Sequence, residues 1–489
     1  MAFDSQWIGD TLNINPRFSR TYSAITSDSR KAKTGSLFVA LPGDTFDGHD
    51  FIAAAVASGA EAVLGTAGKI PNGLPADVEV FAVRDSLEAY RDLARAWRKK
   101  LPIPFVVVAG SVGKTTTKEL LAAILRGRFR NVVSTQGSQN GFVGIPMTLL
   151  SVPLDADVTV VEVGIDEVGT MVKHVELVEP THACLTAIGP EHLEKLIDVE
   201  TVAREESVAL LAPAKKGATV IVRLDDPWIS KIADALPSVA SVWNCALRTA
   251  EEKLRGAGEK SLLDKTVRGE YRPDREVLAV MLSDGSGFDL PMPLPGGHNA
   301  GNLLVAVTVA RALGLSPIEI QRGLAGFRGA AGRSELRILP GQTPVLCDYY
   351  NANPTSVEAG LDLLNAVAAR YPSEGDAKKK IAVLGDMLEL GKDEEAFHRG
   401  LAEKLEQTGV NMILLYGERM RWLFDELKKR ASNAQVGHFA SHAEVADALA
   451  REIRAGDALL IKGSRGMKME EVWKRIEPIL MAENTVGGS

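Results

Sequence analysis

The stretch Phe105-Val-Val-Val-Ala-Gly-Ser-Val-Gly-Lys-Thr-Thr-Thr-Lys-Glu-Leu-Leu121 decides the reading of the chain. Its apolar run Phe105 to Ala109 predicts a buried strand, and Gly110-Ser-Val-Gly113 predicts a turn. From Lys114 onward, Leu120, Leu121, Ile124 and Leu125 recur at helical spacing. A strand, a Gly-rich turn and a helix opening on Lys-Thr make a cradle for phosphate groups. Glycines let backbone N–H groups approach the anion, and a helix N-terminus favours negative charge. Gly110, Ser111 and Gly113 form the loop, with Thr116 in the first helical turn. Lys114 is expected to reach the outer phosphates, and the Thr115 hydroxyl to sit on Mg²⁺. Position 108, where the full phosphate-loop pattern has Gly, is Val, so the motif is the shorter G-x-x-G-K-T.

The chain around this stretch has 489 residues, too many for one core, so two to four domains are expected. Its 24% charged and 45% hydrophobic residues are those of a soluble globular protein. The formal net charge of −7 argues against nucleic acid as a partner, so phosphate binding has to come from a local site. Cys184, Cys245 and Cys347 lie far apart with no C-x-x-C, which predicts buried free thiols. The N-terminus lacks a basic region followed by an apolar core, and no apolar run approaches the roughly 20 residues of a membrane helix. A cytoplasmic protein without membrane insertion is the expectation.

Three units follow in order. Residues 1–98 carry short strands and turns, with Ser27-Asp-Ser-Arg30 and Asp47-Gly-His49 beside turns. These polar groups suit a phosphorylated or sugar ligand, but taken alone they fit turn and cap roles better. Residues 99–328 alternate strands and helices around the phosphate loop, which implies a mostly parallel sheet with helices on both faces. Glu162 is the only charge in its apolar strand, and a buried Glu needs a partner such as Mg²⁺. His192 follows Ile188-Gly-Pro-Glu just past a strand end. The stretch 245–295 reads as an irregular extension with a turn at Asp284 to Gly287, and Asn299 and Asn302 share one surface of the following helix. Residues 329–480 read as a second doubly wound sheet, and the tail 482–489 as disordered. The fold class is α/β in three domains.

Two runs, Asp348-Tyr-Tyr-Asn-Ala-Asn-Pro354 and Leu384-Gly-Asp-Met-Leu-Glu-Leu-Gly391, are the specific signals of a family. Lys462-Gly-Ser-Arg465, His298-Asn299 and Thr135-x-Gly-x-x-Asn140 support them. Together with the phosphate loop, from Asp28 to Met469, these residues resemble the Mur ligase family, ATP-dependent amide-forming enzymes of bacterial peptidoglycan synthesis.

The resemblance implies a UDP-substrate domain, a central ATP-binding domain and a C-terminal Rossmann-like domain. It implies ATP and Mg²⁺, with a UDP-muramoyl peptide and D-alanyl-D-alanine as substrates of a monomeric enzyme. Lys114 and Thr115 then hold phosphates and Mg²⁺, and Glu162 and His192 a second Mg²⁺. Asn299 resembles the adenine contact, and Arg333 and Asp348 the nucleotide contacts of the third domain. Ser27, Asp28, Ser29, Arg30, Asp47 and His49 fit the UDP-sugar site. Asn140, Asn351, Asn353, Lys462 and Arg465 fit the region where the substrates meet.

The chain also departs from the family. A lysine, carbamylated by CO₂, stands in the family where Val202-Ala-Arg-Glu-Glu-Ser-Val208 has Glu206. Glu206 either supplies the same negative charge directly or is an exposed helix residue. Gly164-Ile-Asp-Glu-Val-Gly169 stands for the family's Gly-Ala-Asn-His-Pro-Gly, and Ser138-Gln-Asn140-Gly for its Asn-x-Asn-Asn run. Two other functions fit the same pattern: a ligase of this architecture with another acceptor or carrier, and a non-catalytic nucleotide-binding protein. Lys114, Thr115, Glu162, His192 and Asp348 together argue against the second.

Overall fold

The computed structural model describes residues 3–43, 46–247, 265–371 and 378–482. The expected tail lies, from residue 483 on, outside the described residues. Two compact units divide the chain. One comprises Met1–Val107, Phe129–Val163 and Val172–His182, the other Val108–Arg128, Gly164–Met171 and Ala183–Ser489. Among the described residues no helix is long and apolar enough to cross a membrane.

The chain opens with an antiparallel pair, β1 (Phe3–Asp4) and β2 (Thr21–Tyr22). Next come β3 (Ala24–Thr26), β4 (Ser36–Val39), β5 (Ala60–Thr66) and β6 (Glu79–Val83), an all-parallel sheet in that order. Phe38 and Val63 of this sheet pack with Ile52 and Ala55 of the helix Ile52–Ala57. Burying these apolar faces supplies the main driving force for the arrangement.

A nine-stranded sheet follows. Its strands are β7 (Phe105–Ala109), β8 (Val132–Ser134), β9 (Val158–Glu162), β10 (His182–Leu185), β11 (Thr219–Arg223), β12 (Ser241–Leu247), β13 (Thr266–Arg272), β14 (Val277–Met281) and β15 (Gly287–Pro291). The spatial order is β15-β14-β13-β12-β11-β10-β7-β9-β8. The stretch 245–295, read above as irregular, is a correction. Its described part continues the sheet as regular strands, with β14 antiparallel to its neighbours β13 and β15. Buried Val267, Leu278, Val280 and Leu290 hold these strands, and the helix Gly297–Ala312 packs on them. Charged residues between the apolar ones, such as Glu270 and Arg272, break the continuous apolar run that marks the central strands.

The last sheet has β16 (Glu335–Leu339), β17 (Thr343–Asp348), β18 (Lys380–Gly385), β19 (Met412–Tyr416), β20 (Gln435–Phe439) and β21 (Ala458–Lys462). The order is β16-β17-β21-β18-β19-β20, all parallel except the edge strand β16. Side chains alternate between two cores, as a period of two dictates. Leu346, Ala382, Leu384, Ile413 and Leu460 meet the helices Pro354–Arg370, Glu394–Thr408 and Met420–Lys429. Val345, Ile381, Val383, Leu414 and Ile461 meet the helices His442–Glu452 and Glu470–Ala482 on the other face. Helices on both faces of a parallel sheet make this a doubly wound layer, and ligands of such sheets collect at the carboxyl ends of the strands. Cys184, Cys245 and Cys347 are buried free thiols on strands, as expected.

Candidate active site

The phosphate loop is shaped by two glycines that no other residue can replace. Gly110 has φ +117°, and a Cβ there would stand 2.5 Å from Thr186 Oγ1. Gly113 has φ +90°, and a Cβ there would stand 2.3 Å from Asn302 Oδ1. Both a left-handed backbone and a close neighbour therefore require glycine. Helix Lys114–Leu125 begins directly after Gly113 and carries no side-chain cap. Thr115 is buried and Thr116 half-buried in its first turn. Asn302 thus packs against the loop, and its Nδ2 donates to Asn299 Oδ1 at 3.4 Å. Asn299 is buried and donates to the Pro295 carbonyl at 2.8 Å.

Lys114 lies back over this loop. Its Nζ donates to the carbonyls of Gly110 and Ser111 and pairs with Glu191 Oε2 at 3.2 Å. The Ser111 hydroxyl accepts from the Gly189 N–H at 3.0 Å. Glu206, in the helix Val199–Ala214, is fully buried, which overturns its reading as an exposed helix residue. Its Oε2 accepts from the Gly110 N–H at 2.8 Å. Its Oε1, and Oε1 of the buried Glu191, have no hydrogen-bond partner among the described residues. Burial pushes the Glu206 carboxyl well above the ordinary range, and the Glu191 carboxylate pushes it further, while Lys114 pulls it back.

His192 sits at φ +49° and its Nδ1 lies 2.5 Å from Glu389 Oε2. Glu389 comes from the Leu384 to Gly391 run, and it too has a positive φ, +65°. In the other unit, Glu162 ends β9 with 1% exposure. Its Oε1 accepts from Asn140 Nδ2 at 2.9 Å, and its own N–H donates to Thr135 Oγ1 at 3.0 Å. The Thr135 to Asn140 motif is therefore built around the strand-end carboxylate.

The two N-terminal runs are cap residues. Asp28 caps the turn Ser29–Lys31 and holds the exposed Arg30 through two 2.9 Å bonds, with Ser27 half-buried beside it. Asp47 caps Gly48–Phe51 and binds Lys69 at 2.9 Å and His49 Nδ1 at 2.5 Å. These partners, Lys69 first, hold the Asp47 carboxyl well below the usual carboxylate range. His49 Nε2 accepts from the Thr66 N–H at 2.8 Å, so its Nδ1 carries the proton toward Asp47.

In the C-terminal sheet, Asp348 and Lys462 end the neighbouring parallel strands β17 and β21 in register. Lys462 Nζ lies 2.6 Å from Asp348 Oδ2 and donates to the Asn351 carbonyl at 3.0 Å. The guanidinium groups of Arg333 and Arg465 lie 3.9 and 5.5 Å from the centre of the Tyr350 ring. Asn353 caps the helix Pro354–Arg370 by a reciprocal bond pair with Ser356. That use alone accounts for an Asn at this position.

Glu191 and Glu389 escaped the sequence reading. Glu191 carries one signal, a carboxylate next to the candidate ligand His192. Glu389 lies inside the Leu384 to Gly391 run, but only the fold brings it to His192. Among the described residues no three His, Cys, Asp or Glu side chains form a metal cage. Within the second unit the buried donors Thr115, Glu191 and Glu206 are nonetheless hard oxygens, and Oε1 of Glu191 and Oε1 of Glu206 have no hydrogen-bond partner among the described residues. That chemistry suits Mg²⁺ better than a soft metal.

Comparison with known proteins gives three family models along the chain. They are the Mur ligase family, catalytic domain at 21–98, the Mur ligase middle domain at 108–310, and the Mur ligase, glutamate ligase domain at 332–465. The chain is 34% identical to a Synechocystis sp. protein named UDP-N-acetylmuramoyl-tripeptide–D-alanyl-D-alanine ligase, over 94% of this chain and 92% of that one. It is similar to a crystal structure of MurF from Acinetobacter baumannii, with TM-score 0.80 and 25% identity over 98% and 99% of the two chains. A structure from the same organism is named UDP-N-acetylmuramoylalanyl-D-glutamyl-2,6-diaminopimelate–D-alanyl-D-alanyl ligase. It matches with TM-score 0.77 and 25% identity over 98% and 99%.

Proposed function

We propose a function from one premise: this chain belongs to the Mur ligase family. It is an ATP-dependent ligase that joins D-alanyl-D-alanine to a UDP-N-acetylmuramoyl tripeptide in peptidoglycan synthesis. The observation that carries this reading is Lys114, laid over the loop carbonyls of Gly110 and Ser111 beside the buried carboxylates Glu191 and Glu206.

An amine does not attack a carboxylate at a useful rate. The carboxylate therefore first attacks the γ-phosphorus of ATP, ADP leaves, and an acyl phosphate forms. The amine of the dipeptide then adds to the acyl carbon. The tetrahedral adduct collapses to the amide, and inorganic phosphate leaves with the former carboxylate oxygen. Both steps move negative charge onto oxygens, and fixed cations stabilise that charge most effectively in a water-poor site. Lys114 is placed to serve the phosphates in this way, and Arg333, Lys462 and Arg465 are the cations of the C-terminal sheet.

Thr115, Glu162 and His192, with Glu206, are the groups proposed to hold Mg²⁺. When bound, Mg²⁺ supplies positive charge that neutralises the phosphates. Asn299 serves the nucleotide base, and Asp348 the nucleotide. Ser27 to Arg30, Asp47 and His49 serve the UDP-sugar. The three proposed domains are 1–98, 99–328 and 329–480, and the enzyme acts in the cytoplasm as a monomer. ADP release assayed against a panel of UDP-muramoyl peptides and dipeptides tests this reading. The result expected is release that needs both a tripeptide carrier and D-alanyl-D-alanine. Release with neither, or with another acceptor only, would overturn it.

A further inference from the structure

Arg223, the last residue of β11, is a cation that the ligase reading leaves unused. Its side chain is 14% exposed, and that of its partner Asp225 11%. Nε and Nη2 both donate to Asp225 Oδ2, at 3.0 and 2.8 Å, which fixes the plane of the guanidinium. A pair that only filled the core would end there. Instead, Nη1 donates at 2.9 Å to the carbonyl of Thr186, the residue after the neighbouring strand β10.

Thr186 clasps the phosphate loop. Fully buried, it donates its N–H to the Ala109 carbonyl at 3.0 Å and its hydroxyl to the Val112 carbonyl at 2.6 Å, one on each side of Gly110-Ser111. The next residue continues the clasp, the Ala187 carbonyl accepting from the Ser111 N–H at 2.7 Å. The turn after β11 grips this segment a second time, through Asp226 Oδ2, which accepts from the Ile188 N–H at 3.1 Å. The guanidinium of Arg223 also meets the helix Gly297–Ala312. A Cβ at Gly301 would stand 2.6 Å from Nη2 and 2.8 Å from Cζ, so only glycine lets the helix backbone seat on the guanidinium. Gly301 lies two residues beyond Asn299 and next to Asn302, which packs against Gly113. A single guanidinium therefore lies between the segment that clasps the phosphate loop and the helix that carries Asn299.

We infer that Arg223, oriented by Asp225, is a positioning residue for ATP: it sets the distance between the loop that takes the phosphates and the helix that takes the base. The inference rests on the ligase reading above. ATP engages both half-sites at once, and the gain from joining two half-sites depends on their spacing matching the ligand. The bonds from Thr186 to Ala109 and Val112 do not involve Arg223, so the loop keeps its own shape without it. Loss of Arg223 is therefore felt by a ligand that spans loop and helix, and not by one that occupies the loop alone.

The test is calorimetry on the full chain with Mg²⁺, comparing β,γ-imido-ATP with inorganic tripolyphosphate. Arg223→Met should weaken the ATP analogue on the order of 10-fold or more, the scale of a lost hydrogen bond from a charged group. It should leave tripolyphosphate within about twofold, and in turnover it should raise the KM for ATP while the KM for D-alanyl-D-alanine stays unchanged. Arg223→Met combined with Asp225→Asn removes the stranded carboxylate and keeps the test valid if the single variant fails to fold. Weakening of tripolyphosphate as large as that of the analogue would overturn the inference and confine the pair to holding the fold. An analogue bound as tightly as by the wild type would overturn it as well. The expected pattern of binding in a wild type that forms no amide would instead overturn the ligase reading and leave the spacing role standing.

Discussion

The backbone N–H of Gly110 donates to Oε2 of Glu206 at 2.8 Å, tying the first residue of the phosphate loop to a fully buried carboxylate on the helix Val199–Ala214. We propose that this carboxylate supplies the negative charge that the resemblance to the family assigns to a carbamylated lysine. A carbamate forms reversibly with CO₂, whereas a glutamate is permanent.

Turnover of the wild type is therefore expected to be indifferent to CO₂. Glu206→Gln keeps the size and an acceptor for Gly110 but removes the charge. It should slow turnover by about 10-fold or more, as loss of a buried charged partner does, and raise the Mg²⁺ concentration needed for half-maximal rate. Assays in CO₂-depleted buffer across Mg²⁺ concentrations check both. Rescue of the wild type by bicarbonate would show that a lysine elsewhere is carbamylated. An unchanged Mg²⁺ dependence in Glu206→Gln would confine Glu206 to holding the loop.

Lys114→Ala removes the cation laid over the loop. Loss of one preorganised electrostatic group costs on the order of 10²-fold in turnover, and that loss is expected here. Steady-state ADP release measures it. A variant with near-normal rate would remove Lys114 from the phosphate site.

Asp348 and Lys462 form a largely buried pair, 17% and 3% exposed at their side chains. Lys462→Met strands the Asp348 charge and should cost about 3 kcal/mol of stability or more. Asp348→Asn added to Lys462→Met should recover most of that loss in urea unfolding while activity stays lost. Equal instability of the single and double variants would show that packing, not the stranded charge, sets the cost.

Burial of the His182 ring holds its pKa down to about 4, against about 6.5 in an unfolded chain. Between those values the unfolded chain binds a proton that the folded chain does not. Stability from this group is thus full above pH 6.5 and falls as pH is lowered from 6.5 toward 4. His182→Asn cannot take that proton, so between pH 7 and 5 it should lose less stability than the wild type in urea midpoints. Equal losses would place the pH dependence elsewhere.

Much of the architecture was legible because its strands carry their own mark. Phe105 to Ala109, Met412 to Tyr416 and Ala458 to Lys462 are apolar runs that begin and end where the strands do. β16 had no such mark. Glu335 and Arg337 alternate with Leu336 and Ile338 on an edge strand, a half-buried pattern in place of a continuous apolar run. Glu206 was illegible for another reason. Helical periodicity places polar residues outward, but Glu205 and Glu206 are both buried because each accepts a backbone N–H, from Gly169 and Gly110. Bonds of that kind join segments far apart in the chain and leave no local trace. Motifs located the groups at loop ends, such as Lys114, Asp348 and Lys462. The contacts of Lys114 with Glu191, of Lys462 with Asn351 and of Glu389 with His192 came only with the fold.

The central claim is that the carboxylate of the carrier is activated by phosphoryl transfer before the amine attacks. Carrier labelled with ¹⁸O in that carboxylate, turned over with ATP and D-alanyl-D-alanine, tests it directly by mass spectrometry of the inorganic phosphate. One ¹⁸O is expected in phosphate for each amide formed. Phosphate free of ¹⁸O, with amide and ADP produced in equal amounts, would contradict it.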